Sequence, residues 1–148
     1  MGMMTDNKDE MNNNLKNTTH MELSAKDKKL LFGGRCKLFT ICARKKAKAK
    51  INELIAEADQ LLVTYPAVDY NNFGAVVNTD ALKDDLFAWS RRVNDFFNEV
   101  FKGKDSDVQM KFIYIVGRNS YGEYMILRDT LVNKRAYLVE FQDVLAAL

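Results

Sequence analysis

The feature that most constrains this sequence is the spacing of its apolar residues beyond position 79. Two long runs repeat every three or four residues, which is the period of one face of an α-helix. The first run consists of Leu82, Leu86, Trp89, Val93, Phe96 and Val100. The second consists of Tyr124, Leu127, Leu131, Lys134, Leu138, Phe141, Leu145 and Leu148, in which only Lys134 is not apolar. The runs predict two long helices, one capped by Thr79 or Asp80 and one reaching the last residue.

Weaker patterns predict three further helical segments. Ser24 and Asp27 form an approximate capping box, so a helix is expected to begin at Ser24 and to be interrupted at residues 33–34, which are both glycine. Residues 35–63 predict a second helix, and the alternative is a kink or break near residue 43, where the apolar positions change sides. Gly103 is expected to end the long helix that begins near residue 79. A short apolar helix should then follow, with Asp105 or Ser106 as its cap.

Two regions remain open. Residues 108–126 fit either a helix, which we prefer, or a β-hairpin around the sequence GRNSYG. Residues 64–79 contain Pro66, the only proline, and form a long loop that is a candidate for function. The predicted fold class is an all-α bundle of four to five helices, with residues 23–148 as a single helical domain. Residues 1–22, rich in Asn and Met and without periodicity, are predicted to be a disordered N-terminal tail.

Composition limits the class of protein further. The chain has 148 residues, of which 47% are hydrophobic and 11% aromatic, and this is sufficient for one packed core. No apolar run approaches the roughly 18 to 20 residues that a membrane-spanning helix needs. The N-terminus lacks the basic and apolar pattern of a secretory signal. We therefore expect a cytoplasmic protein that does not bind membranes.

The net charge of +2 conceals a strong asymmetry along the chain. Residues 26–50 contain ten basic residues and one acid, whereas residues 51–148 contain ten basic residues and fifteen acids. The candidate binding residues are Arg35, Lys37, Arg44, Lys45, Lys46, Lys48 and Lys50. On a helix they lie on several sides, which suits contact with phosphates without reading of bases. The alternative, which we prefer, is that they solvate the helix or contact a partner protein.

The sequence offers little for catalysis. Its only histidine, His20, falls in the predicted tail, away from any Ser-His-Asp or Cys-His arrangement. The acidic pairs at residues 84–85 and 105–107 fit the first turns and caps of helices. Cys36 and Cys42 have no histidine or third cysteine nearby with which to bind a metal. We therefore predict a protein that is not an enzyme and uses neither a metal nor another cofactor.

The stretch DLFAWSRRVNDFFNEVFKGKDSD resembles a tryptophan-containing helical module of prokaryotic anti-phage defence and predicted nucleotide-sensing proteins. The residues that carry the resemblance, in order, are Trp89, Arg92, Val93, Phe96, Phe97, Val100, Phe101, Gly103, Asp105 and Ser106. The chain departs from the module by one extra residue, Lys102, before the glycine. The stretch INELIAEADQLL and Phe112 extend the resemblance to about residues 50–115, although the module's usual glycine is replaced near Glu57 and Ala58.

The resemblance implies a helical, non-catalytic interaction role in a bacterial or phage setting. Our leading hypothesis is a protein that binds a partner protein in anti-phage defence or in its phage-encoded counter-defence. The alternative is a nonspecific nucleic-acid-binding protein that uses the basic helix 35–50. A third hypothesis is a homo-oligomer formed through the apolar stripe of residues 124–148.

Overall fold

The computed structural model describes residues 21–32, 41–68, 77–118 and 122–147. These contain the helices α1 (Ala25–Phe32), α2 (Ile41–Thr64), α3 (Thr79–Val100), α4 (Asp107–Ile113) and α5 (Glu123–Ala146). None of the described residues lies in a β-strand. The prediction of an all-α bundle is therefore confirmed. Of the predicted tail only residues 21–22 are described, and Met21 packs against the core.

Helices α2, α3 and α5 form the centre of the bundle. Helix α2 runs antiparallel to α5, since Asn52 contacts Gln142 near one end and Asp59 contacts Arg135 closer to the other. Helix α2 also runs antiparallel to α3, because Leu54 is bonded to Trp89 whereas the later Tyr65 is bonded to the earlier Asp85. It follows that α3 and α5 are parallel to each other.

Aromatic side chains fill the space between these helices. The ring of Phe97 lies 5.3 Å from that of Phe141 and 5.6 Å from that of Phe112, measured between centroids. The ring of Trp89 lies 6.0 Å from that of Phe112 in an edge-on arrangement. Such pairs add to the stability gained by burying the side chains. The periodic run in α3 therefore faces the core, as its spacing predicted.

The helix ends test the predicted caps. The backbone N–H of Asp27 donates to Ser24 Oγ at 3.2 Å, as the capping box predicted. Ser106, not Asp105, caps α4 by accepting from the backbone of Gln109 at 3.3 Å. The cap of α3 is Asn78, whose side chain accepts from Ala81 N at 3.0 Å, so the prediction of Thr79 or Asp80 was wrong. Three successive residues there have cap-forming side chains, and the local sequence does not rank them.

Helix α3 ends at Val100, and the first residue with a positive φ after it is Lys102, at +55°, so the stop does not depend on Gly103 alone as predicted. Gly103 has a φ of +71°, a conformation that glycine adopts without the steric cost that other residues incur. Helix α2 is continuous from Ile41 through residue 43 to Thr64, so the described part of this helix has no break near residue 43. The predicted beginning of this helix at residue 35, and the glycines at 33–34, lie outside the described residues.

The two open regions are partly resolved. In residues 108–126 the chain is helical to Ile113, irregular to residue 118, and helical again from Glu123, so the described part of this region contains no hairpin strand. The loop predicted for residues 64–79 is held at its start by side chains of α5. Tyr124 donates to the Pro66 carbonyl at 2.8 Å, and Arg128 donates to the Tyr65 carbonyl at 2.9 Å. Residues 69–76 lie outside the described part of the chain.

Tyr65 fixes the same loop to α3. Its hydroxyl donates to the Asp85 carboxylate at 2.5 Å. This hydrogen bond and burial of the ring raise the pKa of Tyr65 to about 12. The carboxylate of Asp85, one of the acidic pair considered for catalysis, therefore has a structural role.

The stripe of α5 lies inside the bundle. Its buried members are Tyr124, Leu131, Lys134, Leu138, Phe141 and Leu145. A homo-oligomer formed through this stripe would thus have to separate the helices of the bundle. Among the described helices, none combines the length and the apolar character required to cross a membrane.

Candidate functional site

Five of the seven predicted binding residues lie in the first ten residues of α2. They are Arg44, Lys45, Lys46, Lys48 and Lys50, and we call residues 44–50 the basic segment. Arg35 and Lys37 lie outside the described residues. The segment contains only Ala, Lys and Arg, which are strong helix formers, so it continues the helix without the help of a large apolar face.

The basic side chains of the segment differ in their exposure to solvent. Lys45, Lys46 and Lys50 are exposed, whereas Arg44 and Lys48 are half-buried. Lys50 lies 3.5 Å from Glu53. Neither Lys45 nor Lys46 has an acidic partner within ion-pair distance in the described part of the chain. The side of α2 that carries Lys46 and Lys50 is therefore more open to a partner than the side that carries Arg44 and Lys48.

The basic segment lies at one end of the bundle. The antiparallel contact of Asn52 with Gln142 places Lys48 level with Ala146, the last residue of α5. The carboxyl end of a helix carries a partial negative charge, which attracts the neighbouring lysines. The beginning of α2 carries the opposite partial charge, so the two helix ends act against each other on these lysines, and the exposed ammonium groups remain accessible.

The acids in the second half of α2 form ion pairs with arginines of neighbouring helices. Glu57 pairs with Arg92 of α3 at 2.9 Å, and Asp59 pairs with Arg135 of α5. The second half of α2 is therefore charge-matched to its neighbours. Among the described residues, the lysines of α2 without an ion pair, Lys45, Lys46 and Lys48, all lie in its first half.

A second candidate site is a cavity of about 430 Å³ between α3, α5 and the segment that follows α4. This volume lies within the usual range for small-molecule sites. The apolar end of the cavity is lined by Leu86, Phe87, Ile126 and Leu127. Its polar end is lined by Ser90, Arg91, Asn94 and Lys134. We call it the Lys134 cavity.

Lys134 is the most unusual residue of this cavity. Only 8% of its surface is exposed. Its ammonium donates to Ser90 Oγ at 3.3 Å and lies 4.6 Å from the centre of the Phe112 ring. Burial lowers the pKa of Lys134, because the charged form loses its hydration. In the sequence, Lys134 differed from its neighbours only as the one residue that is not apolar in the periodic run of residues 124–148.

Asn94 adds a second polar group at the same end. The side-chain oxygen of Asn94 is buried and accepts no hydrogen bond from the described residues. Gln109, which is close, donates instead to the backbone carbonyl of Asn94 and to the side chain of Asn98. No pattern in the sequence indicated a role for Asn94, since an asparagine on an amphipathic helix is usually solvated.

At Gly117 the segment that follows α4 packs closely against α5. Its N–H donates to Thr130 Oγ1 at 2.7 Å, and that hydroxyl donates to the Ile126 carbonyl at 2.7 Å. A Cβ at position 117 would overlap the Ile126 carbonyl oxygen and would lie 2.5 Å from the Cβ of Asp129. Glycine is therefore required for this close approach, which brings Ile115 and Val116 to the wall of the cavity.

The substitution Gly117→Ala is expected to lower the free energy of unfolding by about 1 to 3 kcal/mol, because the methyl group must displace the backbone of α5. Urea denaturation followed by circular dichroism measures this change. Val116→Ala is the matched control, since Val116 is 64% exposed and should change stability by only about 0.5 kcal/mol. Equal midpoints for Gly117→Ala and the unmodified protein would contradict the close approach.

No protein-family model, curated protein or solved structure matches this chain. The residues that carry the resemblance to the anti-phage module have structural roles here. The indole of Trp89 donates to the Leu54 carbonyl at 2.9 Å, Arg92 pairs with Glu57, and Ser106 caps α4. Within the described ranges, no group of histidine, cysteine, aspartate and glutamate residues is arranged to hold a metal ion.

Proposed function

We propose that this protein is a non-enzymatic helical binding protein whose basic segment binds an acidic surface of a partner protein. The observation that carries the proposal is the cluster of exposed lysines at one end of α2, where Lys45 and Lys46 form no ion pair with described residues. Complementary charge accelerates association and selects partners. A partner with an acidic patch would compensate these lysines, as arginines of α3 and α5 compensate the acids of α2.

Three properties favour a protein over a nucleic acid. Only three cations of the described segment are exposed, whereas tight nonspecific binding draws on many phosphate contacts. Arg44 and Lys48 are half-buried and so less available to a phosphate backbone. In addition, residues 51–148 carry an excess of acids, which repel a long polyanion.

The proposed setting is bacterial anti-phage defence or phage counter-defence, in the cytoplasm. Its support is the resemblance of residues 89–106. Because the matched side chains pack and cap helices, the resemblance bears on the architecture more than on any ligand.

The double substitution Lys45→Glu with Lys46→Glu is expected to abolish capture of the partner and to leave the fold intact. Glutamate is a strong helix former and is favourable near the beginning of a helix, so α2 should persist. The measurement is affinity capture from host lysate with quantitative mass spectrometry. The control is Lys104→Glu with Lys111→Glu, which makes the same change in charge at two exposed lysines away from the segment.

A partner retained by the unmodified protein and the control, but depleted at least tenfold with the double variant, supports the proposal. The same set of proteins in all three samples would contradict it. Circular dichroism of each variant verifies that a lost partner does not reflect a lost fold.

The second candidate function is nonspecific binding of nucleic acid. One observation favours it, namely that exposed lysines at positions 45, 46 and 50 project on more than one side of α2. Titration of labelled DNA and RNA, followed by fluorescence anisotropy, tests it. An affinity that falls with salt, with a log-log slope of about −0.7 to −0.9 per phosphate contacted, would favour this function.

A further inference from the structure

The Lys134 cavity contains a buried positive charge without a negative partner. No carboxylate lines the cavity, and none lies within ion-pair distance of the Lys134 ammonium in the described part of the chain. The ammonium has one hydroxyl acceptor, Ser90, and the face of Phe112. A lysine ammonium has three donors, and buried charges in proteins are normally paired. Among the described residues, the Lys134 ammonium therefore has no negatively charged group to pair with.

The rest of the cavity is suited to an apolar group. Leu86 and Phe87 lie one to two turns before Ser90 and Asn94 on α3, and Ile126 and Leu127 lie about two turns before Lys134 on α5. Because the two helices are parallel, their apolar residues meet at one end and their polar residues at the other. Ile113 and Val116 cover the side, and both are more than 40% exposed. The cavity is therefore amphiphilic along its length.

We propose that the Lys134 cavity binds a small organic monoanion with an apolar body, such as a medium-chain carboxylate. The carboxylate accepts hydrogen bonds from the Lys134 ammonium, and the apolar body lies between Leu86, Phe87 and Ile126. Arg91, which is exposed and lines the same end, adds a second positive charge.

This site is independent of the basic segment. It lies at the middle of α3 and α5, whereas the basic segment lies at the beginning of α2. Its ligand is recognised inside a cavity rather than on a surface of solvated lysines. Loss of either binding activity therefore leaves the other testable.

The test uses octanoate as the probe, with octanol and octylammonium as neutral and cationic probes of the same chain length. Each is titrated into the full chain by isothermal titration calorimetry, below the concentration at which it aggregates. Octanoate is expected to bind about tenfold or more tightly than octanol, because only octanoate forms a charge-assisted hydrogen bond. Octylammonium is expected not to bind.

Lys134→Met and Lys134→Gln are the variants that test the charge. Both are expected to remove the preference for octanoate over octanol. Lys134→Met should fold at least as well as the unmodified protein, because it replaces a desolvated ammonium with an apolar chain of similar length. Lys28→Met, an exposed lysine of α1, is the control and should leave the preference unchanged.

Three results would overturn the proposal. One is the absence of octanoate binding at millimolar concentration, and another is equal affinity for octanoate and octanol. The third is an undiminished preference for octanoate in either Lys134 variant. If octanoate binds, amide chemical shifts in NMR spectra must change around Ser90, Asn94 and Lys134, and changes confined to the basic segment would also overturn the proposal.

Discussion

The substitution Trp89→Ala is expected to lower the free energy of unfolding by about 3 to 5 kcal/mol, the range for removal of a fully buried large aromatic. Trp89 has no exposed surface and packs edge-on against Phe112. Its indole N–H also donates to the Leu54 carbonyl of α2 at 2.9 Å. The substitution therefore opens a cavity where α2, α3 and α4 meet and removes a buried hydrogen bond.

Urea denaturation followed by circular dichroism at 222 nm measures this loss. Trp89 is the only tryptophan, so its fluorescence does not serve for the variant. Phe87→Ala is the control on the same helix. Because Phe87 is 51% exposed, its substitution should lower the free energy of unfolding much less. Similar midpoints for the two variants would show that the indole is not at the centre of the core.

The substitution Asp27→Ala is expected to lower the free energy of unfolding by about 3 kcal/mol. The carboxylate of Asp27 is fully buried and accepts from the N–H groups of Asp107 and Val108, at 3.2 Å and 2.9 Å. These are the first two N–H groups of α4, which no residue within the helix can satisfy. The loss of a charged acceptor leaves them without a partner inside the protein, and this costs more than the loss of an exposed bond.

Asp27→Asn is the informative companion, since the amide retains one acceptor oxygen and should recover part of the stability. Lys28→Ala on the exposed side of α1 is the control. Amide hydrogen exchange of α1 and α4 should accelerate in Asp27→Ala, because this side chain links the two helices. Stability and exchange equal to those of Lys28→Ala would contradict the link.

Asp27 also shows the limit of reading the sequence locally. The spacing from Ser24 predicted a capping box, and the N–H of Asp27 does donate to Ser24 Oγ. The side chain of Asp27, however, caps a helix that begins 80 residues later. Local spacing contains no information on contacts of this separation, so the link between α1 and α4 was not predicted.

The long helices were predictable for the opposite reason. The apolar period of α3 extends over five turns, and only one helix face can bury it. Residues 108–126 were ambiguous because a short apolar run fits a helix or a strand. In the structure, α4 ends at Ile113, an irregular segment follows, and α5 begins at Glu123. Gly117 holds the irregular segment on α5 through contacts that depend on the tertiary fold.

The candidate sites, like the helices, could be predicted from the sequence only in part. The basic segment was evident from composition, but which of its residues are exposed depends on the packing of α2 beside α5. Lys134 was visible as an exception in an apolar series. Ser90 and Asn94 have no such signal, because only the parallel arrangement of α3 and α5 brings them to the same cavity.

The measurement that tests the central claim most directly is capture of partners before and after the lysate is treated with nuclease. The baits are the unmodified protein and the variant Lys45→Glu with Lys46→Glu. A direct protein contact predicts a partner that the unmodified protein retains after nuclease treatment and that the variant does not capture. Loss of every partner on nuclease treatment, or recovery of the same partner by the variant, would contradict the claim that the basic segment binds a protein.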